Sequence, residues 1–538
     1  MNNDICIYDS SLRDGAQSRG VSWSVADKLA IVRILDELGV DCIEAGNPAS
    51  NPKDVEFFSR AASLQLRTAR LVAFGATRKP GIDAGDDVNL RTLVECAAPA
   101  IAIFGKSWDY HVLEILRCSL AENLAMIGDS VRLLKQQGKE VIFDAEHFFD
   151  GFADNPDYAL KTLAAAAAAG ADWLCLCDTN GGGFPDGVAA AIAAVRQRLP
   201  AARLGIHCHN DGDLATANSL RAVAAGVQQV QGTINGLGER CGNANLCAII
   251  PNLQLKLGRR CIPDAALVRL TAAARSVSEI ANMPPNDRAP FVGEHAFAHK
   301  GGMHIDAVVK HPSSYEHIDP QLVGNSRHVL MSEVAGRSTI LARIRAIDAT
   351  LDKSSPQTAQ VIEQLKVLEH EGFQFEAAES SFELVVRKLL GRYTPFFELV
   401  GFKVIVNEPS SDGVNSHALV KVRVGGEEEL TAAEGDGPVN ALDKALRRVL
   451  ERFYPAIADM RLTDYKVRVL DSSQASAAKV RVLVESSDHK ASWCTIGVST
   501  DIINASWQAL VDAVDYKLLR DREAAAAQEG HGGDASPQ

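Results

Sequence analysis

The sequence has no Cys-x-x-Cys pair, no Gly-x-Gly-x-x-Gly after its first apolar run, and no apolar stretch long enough to cross a bilayer. Each absence excludes something. Eleven cysteines (6, 42, 96, 118, 175, 177, 208, 241, 247, 261 and 494) are scattered and odd in number. With no secretory segment, they read as reduced thiols of a cytoplasmic protein, mostly small core residues. Without the glycine fingerprint, a dinucleotide-binding sheet is disfavoured. The Ala-rich run at 163–169 is too short and too weakly apolar to span a membrane. Positive charge is also in deficit, 55 Lys and Arg against 68 Asp and Glu, a net −13. That argues against nucleic-acid or anionic-membrane partners and leaves room for a local basic pocket. The first apolar run begins at Ile5, so no targeting peptide is expected ahead of it.

What is present is ample core material: 538 residues, 46% of them apolar, enough for two to four domains. Short β-rich runs recur at Ile5–Asp9, Asp41–Gly46, Thr68–Gly75, Ala100–Gly105, Glu140–Glu146, Ala171–Asp178, Arg203–His209 and Gln229–Asn235. Between them lie segments of helical spacing: Ser24–Leu38, Lys53–Ala62, Val88–Ala97, Ser119–Gln136, Pro156–Ala168, Pro185–Arg198 and Leu214–Ala225. Eight strand–helix units in residues 1–265 predict a (β/α)8 TIM barrel rather than an open sheet.

A barrel carries its chemistry at the carboxyl ends of its strands. Arg13 and Asp14 follow strand 1, Glu44 ends strand 2, and Glu146 with His147 ends strand 5. Asp178, Thr179 and Asn180 end strand 6, and Gly238–Asn243 follows strand 8. Strand 7 ends in His207-Cys208-His209. Side chains two apart on a strand share a face, so these imidazoles, about 7 Å apart at Cα, can close on one divalent cation. Alone, His-x-His is better read as two solvated or hydrogen-bonded histidines. The gathering of ionisable residues at the same end of nearly every strand points instead to an active site.

Residues 266–390 read as a helical accessory region. It contains a Gly/His-rich stretch from His299 to His304 and a breaker-rich loop through Pro312 and Tyr315, either a lid or a plain connector. Residues 391–522 change to an α+β pattern in two similar halves. Strand Ala418–Val424 and helix Val439–Phe453 are echoed by Val480–Val484, Ser492–Val498 and helix Ile502–Leu518, suggesting tandem ββα-like units with a binding or association role. Residues 523–538 read as a disordered tail.

These motifs resemble those of the isopropylmalate synthase group of metal-dependent acyl-CoA condensing enzymes. Asp9–Gly15 resembles the group's strand-1 motif, with Ser10-Ser11 where Thr is usual; His207–Asp211 and Gly236–Ala244 resemble two more. Ser50–Asp54, Ile103–Trp108, Ala145–Gly151, Gly232–Gly236 and Ala296–Gly302 are similar to the long-form citramalate synthase branch. The resemblance implies a divalent cation (Mn, Mg or Zn) held by Asp14, His207, His209 and Asn243. It implies substrate contacts from Arg13 and Thr179, and catalytic roles for Arg13, Glu146, His304 and Tyr315. The implied reaction condenses acetyl-CoA with pyruvate, and the C-terminal halves become a regulatory and homodimerising domain with isoleucine as effector. Leu237, where an aromatic is frequent, and Gly212-Asp213 depart from the branch pattern near the pocket. Isopropylmalate or homocitrate synthesis, the same chemistry on a larger keto acid, is the near alternative. A barrel lyase and a catalytically silent amino-acid-binding regulator are remoter ones.

Overall fold

A computed structural model of the chain describes residues 4–299, 302–329, 341, 344–345, 347–348, 350–352, 355–375, 378–406, 416–470, 478–488 and 491–531. It divides into two compact units: residues 1–298 with 310–328, and residues 299–309 with 329–538.

The first unit is a closed barrel of eight parallel strands in sequential order. They are β1 (Cys6–Asp9), β2 (Cys42–Glu44), β3 (Arg70–Ala76), β4 (Ala100–Lys106), β5 (Glu140–Glu146), β6 (Trp173–Asp178), β7 (Leu204–Cys208) and β8 (Gln229–Gly232). The ring closes where Cys6 pairs with Gln229 and Asp9 with Gly232. Strands buried on both faces explain the near-continuous apolar runs. One alternate set, including Ile7, Ile43, Ile101, Val141 and Leu174, joins the large core shared with the helices. The other set, Tyr8, Cys42, Val72, Ala100, Ala102, Ile142, Trp173, Cys175 and Cys177, forms a separate interior cluster. Period-2 alternation thus fills the barrel and leaves polar side chains for its mouth.

Local chemistry sets the helix limits. Ser24 and Asp27 form a reciprocal capping box ahead of Val25–Leu38, which stops at Gly39 in the left-handed conformation. Pro52, Pro156 and Pro185 each stand in the first turn of a helix, where a missing N–H costs nothing. Three pieces lie outside the sequence reading: a π-helical turn at His111–Leu116, and short helices at Phe148–Asp154 and Leu246–Pro251. None is long enough to show a helical period.

In the second unit each C-terminal half is βββα rather than ββα. One antiparallel sheet pairs Glu398–Val406, Ser416–Val424 and Glu427–Gly435, followed by helix Pro438–Glu451. The other pairs Arg461–Val469, Val480–Ser487 and Ser492–Ser499, followed by helix Ile502–His531. The first strand of each half was not expected because most of its residues are exposed or only half-buried, which erases the apolar alternation. The last helix runs beyond Leu518 through Glu523-Ala524-Ala525-Ala526-Ala527, a strongly helix-favouring stretch. Residues 532–538 of the expected tail lie outside the described residues, as do Lys300 and Gly301 of the Gly/His-rich stretch. Among the described residues, no helix is long and apolar enough to cross a membrane.

Candidate active site at the mouth of the barrel

The turn after β1 folds back on itself: Ser11 N–H and Oγ both bond to the Asp9 carboxylate, and Gly15 N–H donates to Ser10 C=O. This places Arg13 and Asp14 over the barrel mouth. Asp14 is 2% exposed, and its Oδ2 lies 3.5 Å from His207 Nε2 and 3.9 Å from His209 Nε2. One ligand-type atom from each of the three lies within 4.8 Å of the other two.

Asn243 reaches the same point through the loop after β8. Asn243 forms an isolated β-bridge with His209, Ala244 N–H donates to Cys208 C=O (2.9 Å), and Asn210 N–H donates to Gly242 C=O (2.9 Å). Gly242 is required here: its φ is +90°, and an added Cβ would strike Gly236 C=O. Asn243 Nδ2 donates to Leu237 C=O at 3.1 Å, which turns Oδ1 the other way.

Two buried oxygens at this point have no hydrogen-bond partner: Asp14 Oδ1 and Asn243 Oδ1. Unsatisfied buried acceptors are rare and call for a ligand. A carboxylate oxygen, an amide oxygen and two imidazoles suit a divalent cation, so the residues fit the metal that the resemblance implies. The protonation states agree. Burial opposes charge on Asp14, but Arg13 and the two imidazoles outweigh it and hold the carboxyl at about 2. Burial lowers His207, and burial with the neighbouring His207 lowers His209 to about 4. Both rings are therefore neutral, the form that binds metal. Gln231 Oε1 lies 3.1 Å from His207 Nδ1, and Gln231 Nε2 donates to Asp144 Oδ1 at 3.1 Å. An N–H on Nδ1 leaves the His207 Nε2 lone pair facing Asp14.

Arg13 is fixed from several sides. Its Nε pairs with Glu44 Oε1, its Nη1 lies 3.1 Å from Asp14 Oδ2, and its guanidinium sits 3.8 Å above the Phe74 ring. Phe74 in turn stacks on Phe104, centroids 5.4 Å apart. Burial works against the cation, but Glu44 and Asp14 raise its pKa overall, so it stays protonated.

The remaining residues are placed as follows. Glu146 ends β5 and pairs with Lys106 at the end of β4. Thr179 follows β6, and its Oγ1 accepts from His147 N–H at 2.8 Å, tying the two strand ends together. Tyr315, 49% exposed, follows the turn Pro312–Ser314 in the first unit. His304 is exposed on helix Gly302–Lys310 and belongs to the second unit. The two loop residues near the histidines divide their work: Asn210 Oδ1 caps the next helix through Ala215 N–H, and Asp211 forms a two-point pair with Arg240. Arg240 also donates to Thr179 C=O at 2.7 Å, joining the loops after β6, β7 and β8.

Sequence reasoning places Glu44 at a strand end without giving it a partner, and it misses Gln231, Asp144 and Lys106.

Three family models cover most of the chain: HMGL-like over residues 4–277, homocitrate synthase post-HMGL domain-like over 291–372, and the LeuA allosteric (dimerisation) domain over 376–518. The (R)-citramalate synthase of Geobacter sulfurreducens is 51% identical over 518 residues, 96% of this chain and 98% of that protein. The (R)-citramalate synthase of Synechocystis is 52% identical over 523 residues, 95% of this chain and 96% of that protein. The chain belongs to the (R)-citramalate synthase family. A 2-isopropylmalate synthase of Methanocaldococcus jannaschii shares the length but only 30% identity, over 96% of this chain and 95% of that protein. The branch suggested by Ile103–Trp108 and Ala145–Gly151 is thus the one that full-length identity favours.

Proposed function

We propose that this chain condenses acetyl-CoA with pyruvate and water to give (R)-citramalate and CoA, the entry step of an isoleucine route. The observation that carries the reading is the buried Asp14–His207–His209 cluster with unpartnered Asp14 and Asn243 oxygens, in a chain matching citramalate synthases end to end. Asp14, His207, His209 and Asn243 would hold a Mn, Mg or Zn ion. When bound, such an ion polarises the keto group and stabilises the alkoxide that forms from it.

The protein's own groups supply the rest. Arg13, anchored by Glu44, has its Nε occupied and its Nη1 turned to Asp14. A rigid guanidinium there stabilises the developing oxyanion without having to reorganise. Thr179 Oγ1 already accepts one hydrogen bond, so its hydroxyl proton is left for the substrate carboxylate. Glu146 is the barrel carboxylate assigned to the acetyl methyl proton, with Lys106 holding it in place. His304 and Tyr315 are assigned to the same proton transfers from the segment after the barrel. The proton leaves the acetyl methyl carbon, that carbon bonds to the keto carbon, and the alkoxide takes up a proton. Water then cleaves the thioester and CoA departs.

The match to the LeuA allosteric (dimerisation) domain supports a homodimer whose tandem halves bind isoleucine as a feedback effector. The scattered cysteines, with no disulfide between them, suit a reducing cytoplasm.

CoA release measured against a panel of keto acids tests this reading. Pyruvate is expected to be fastest, with 2-ketoisovalerate weaker. The reverse order would move the chain to 2-isopropylmalate synthesis, and no release with any keto acid from metal-loaded protein would overturn the enzyme reading.

A further inference from the structure

Inside the barrel a second group of ligand-type side chains takes no part in the condensation. Asp144 on β5 and Cys175 and Cys177 on β6 are 5%, 0% and 6% exposed. One carboxylate oxygen and the two sulfurs all lie within 4.8 Å of one another. Strand register explains the grouping. Asp144 pairs with Cys175, Cys175 and Cys177 share a face two residues apart, and Cys177 pairs with His207 on the next strand. Among the described residues, only this trio and Asp14–His207–His209 gather three such donors.

The donor types select the ligand. Around one tetrahedral ion with bonds of about 2.3 Å to sulfur and about 2.1 Å to oxygen, the donor atoms stand roughly 3.5–4 Å apart, within the spacing available here. Two sulfurs reject hard cations such as Mg2+ and favour thiophilic ones. The neighbourhood sharpens that choice. Burial pushes the Cys175 thiol up, and burial together with Glu44 pushes Asp144 up to about 7. The site therefore keeps its protons until a cation able to displace them from sulfur arrives.

We propose that Asp144, Cys175 and Cys177 form an inhibitory site for a thiophilic divalent cation, Zn2+ or Cd2+, coupled to the catalytic mouth through Gln231. On binding, each thiol gives up one proton to solvent, as does the Asp144 carboxyl where it is protonated, and two metal–sulfur bonds form. The Asp144 carboxylate supplies the third bond. Asp144 Oδ1 is the acceptor that holds Gln231 Nε2, and Gln231 Oε1 faces His207 Nδ1. A cation drawing charge from the Asp144 carboxylate weakens that anchor, leaving Gln231 Nε2 more reliant on its longer bond to Gln229 Oε1 at 3.4 Å, and loosens the partner that orients His207. The site is separate from the Asp14 cluster but acts on one of its imidazoles.

The test is a Cd2+ titration of the full-length, Mn2+-loaded protein, following the ultraviolet thiolate-to-cadmium charge-transfer absorption and CoA release together. Absorption and inhibition are expected to rise in step. Cys175→Ala and Cys177→Ala should each lose that absorption and need about tenfold more cadmium or beyond for half-inhibition. Inhibition without charge-transfer absorption would mean cadmium only replaces the catalytic ion, and would overturn the proposal. Unchanged absorption and inhibition in both variants would assign the effect to other cysteines, and would also overturn it. If neither variant folds, an anomalous difference map of the cadmium-soaked wild-type protein decides. A peak between Asp144, Cys175 and Cys177 supports the site, and cadmium found only elsewhere refutes it.

Discussion

Glu44 and Arg13 form a buried ion pair beneath the mouth of the barrel. The Glu44 side chain is fully buried and also accepts from Tyr8 OH at 2.5 Å and Ser10 Oγ at 2.7 Å. Every lone-pair direction that matters is therefore taken, and the carboxylate holds the guanidinium in one orientation. Glu44→Gln keeps the shape but removes the charge that anchors Arg13. A loss of about 10²–10³ in kcat is expected, the scale for disturbing a fixed oxyanion donor, with a smaller change in the KM for pyruvate. Steady-state kinetics on both substrates checks it. An effect confined to KM would show that Arg13 only binds.

Gln231 gives a second expectation. Gln231→Leu leaves His207 Nδ1 and Asp144 without their shared partner, so affinity for the activating cation should fall about 10–100-fold. Added cation should then restore much of the rate. Isothermal titration with Mn2+ measures it directly, and unaltered affinity would make Gln231 a packing residue.

How far the sequence foretold this site depends on the kind of relationship. Strand β5 was readable residue for residue because Glu140–Glu146 is flanked by turn signals and buried on both faces. Asp14 and His207 could be placed at strand ends by the same logic. The β-bridge between His209 and Asn243 could not, because it depends on how the Gly236–Gly242 loop folds back. Glu44, Asp144 and Gln231 stayed silent for a related reason. A polar residue on an inward strand position reveals its partner only when the ring closes. The edge strands Glu398–Val406 and Arg461–Val469 were hidden by their exposure.

Stability should respond to Asp36, which is buried and accepts from the backbone N–H groups of Arg67, Thr68 and Ala69. Burial opposes its charge, but these three donors lower its pKa overall. A carboxyl depressed in the folded state stabilises at pH values above its unfolded pKa of about 3.9. That contribution disappears as the pH falls through the lower folded value. Asp36→Asn should therefore cost about 2 kcal/mol at neutral pH and progressively less below about pH 4. Urea unfolding of the two proteins across pH measures the difference. A gap that widens in acid would contradict the sign.

Removing the C-terminal halves after residue 395 should leave condensation detectable and abolish inhibition by isoleucine. Rate measurements with and without the amino acid settle it. Inhibition that survives the truncation would place the effector site elsewhere.

Metal binding should also stabilise the barrel. At a free Mn2+ concentration of about 100 times Kd, the folded state gains about 2.7 kcal/mol. Chelation should lower the melting temperature and stop CoA release together, and Asp14→Asn should blunt both responses.

The most direct measurement is an anomalous difference map of Mn2+-loaded crystals, collected with and without pyruvate. One strong peak is expected within about 2.0–2.3 Å of an Asp14 carboxylate oxygen, His207 Nε2 and His209 Nε2, with Asn243 Oδ1 beside it. A protein that releases CoA while its manganese lies away from those three residues would contradict the assignment.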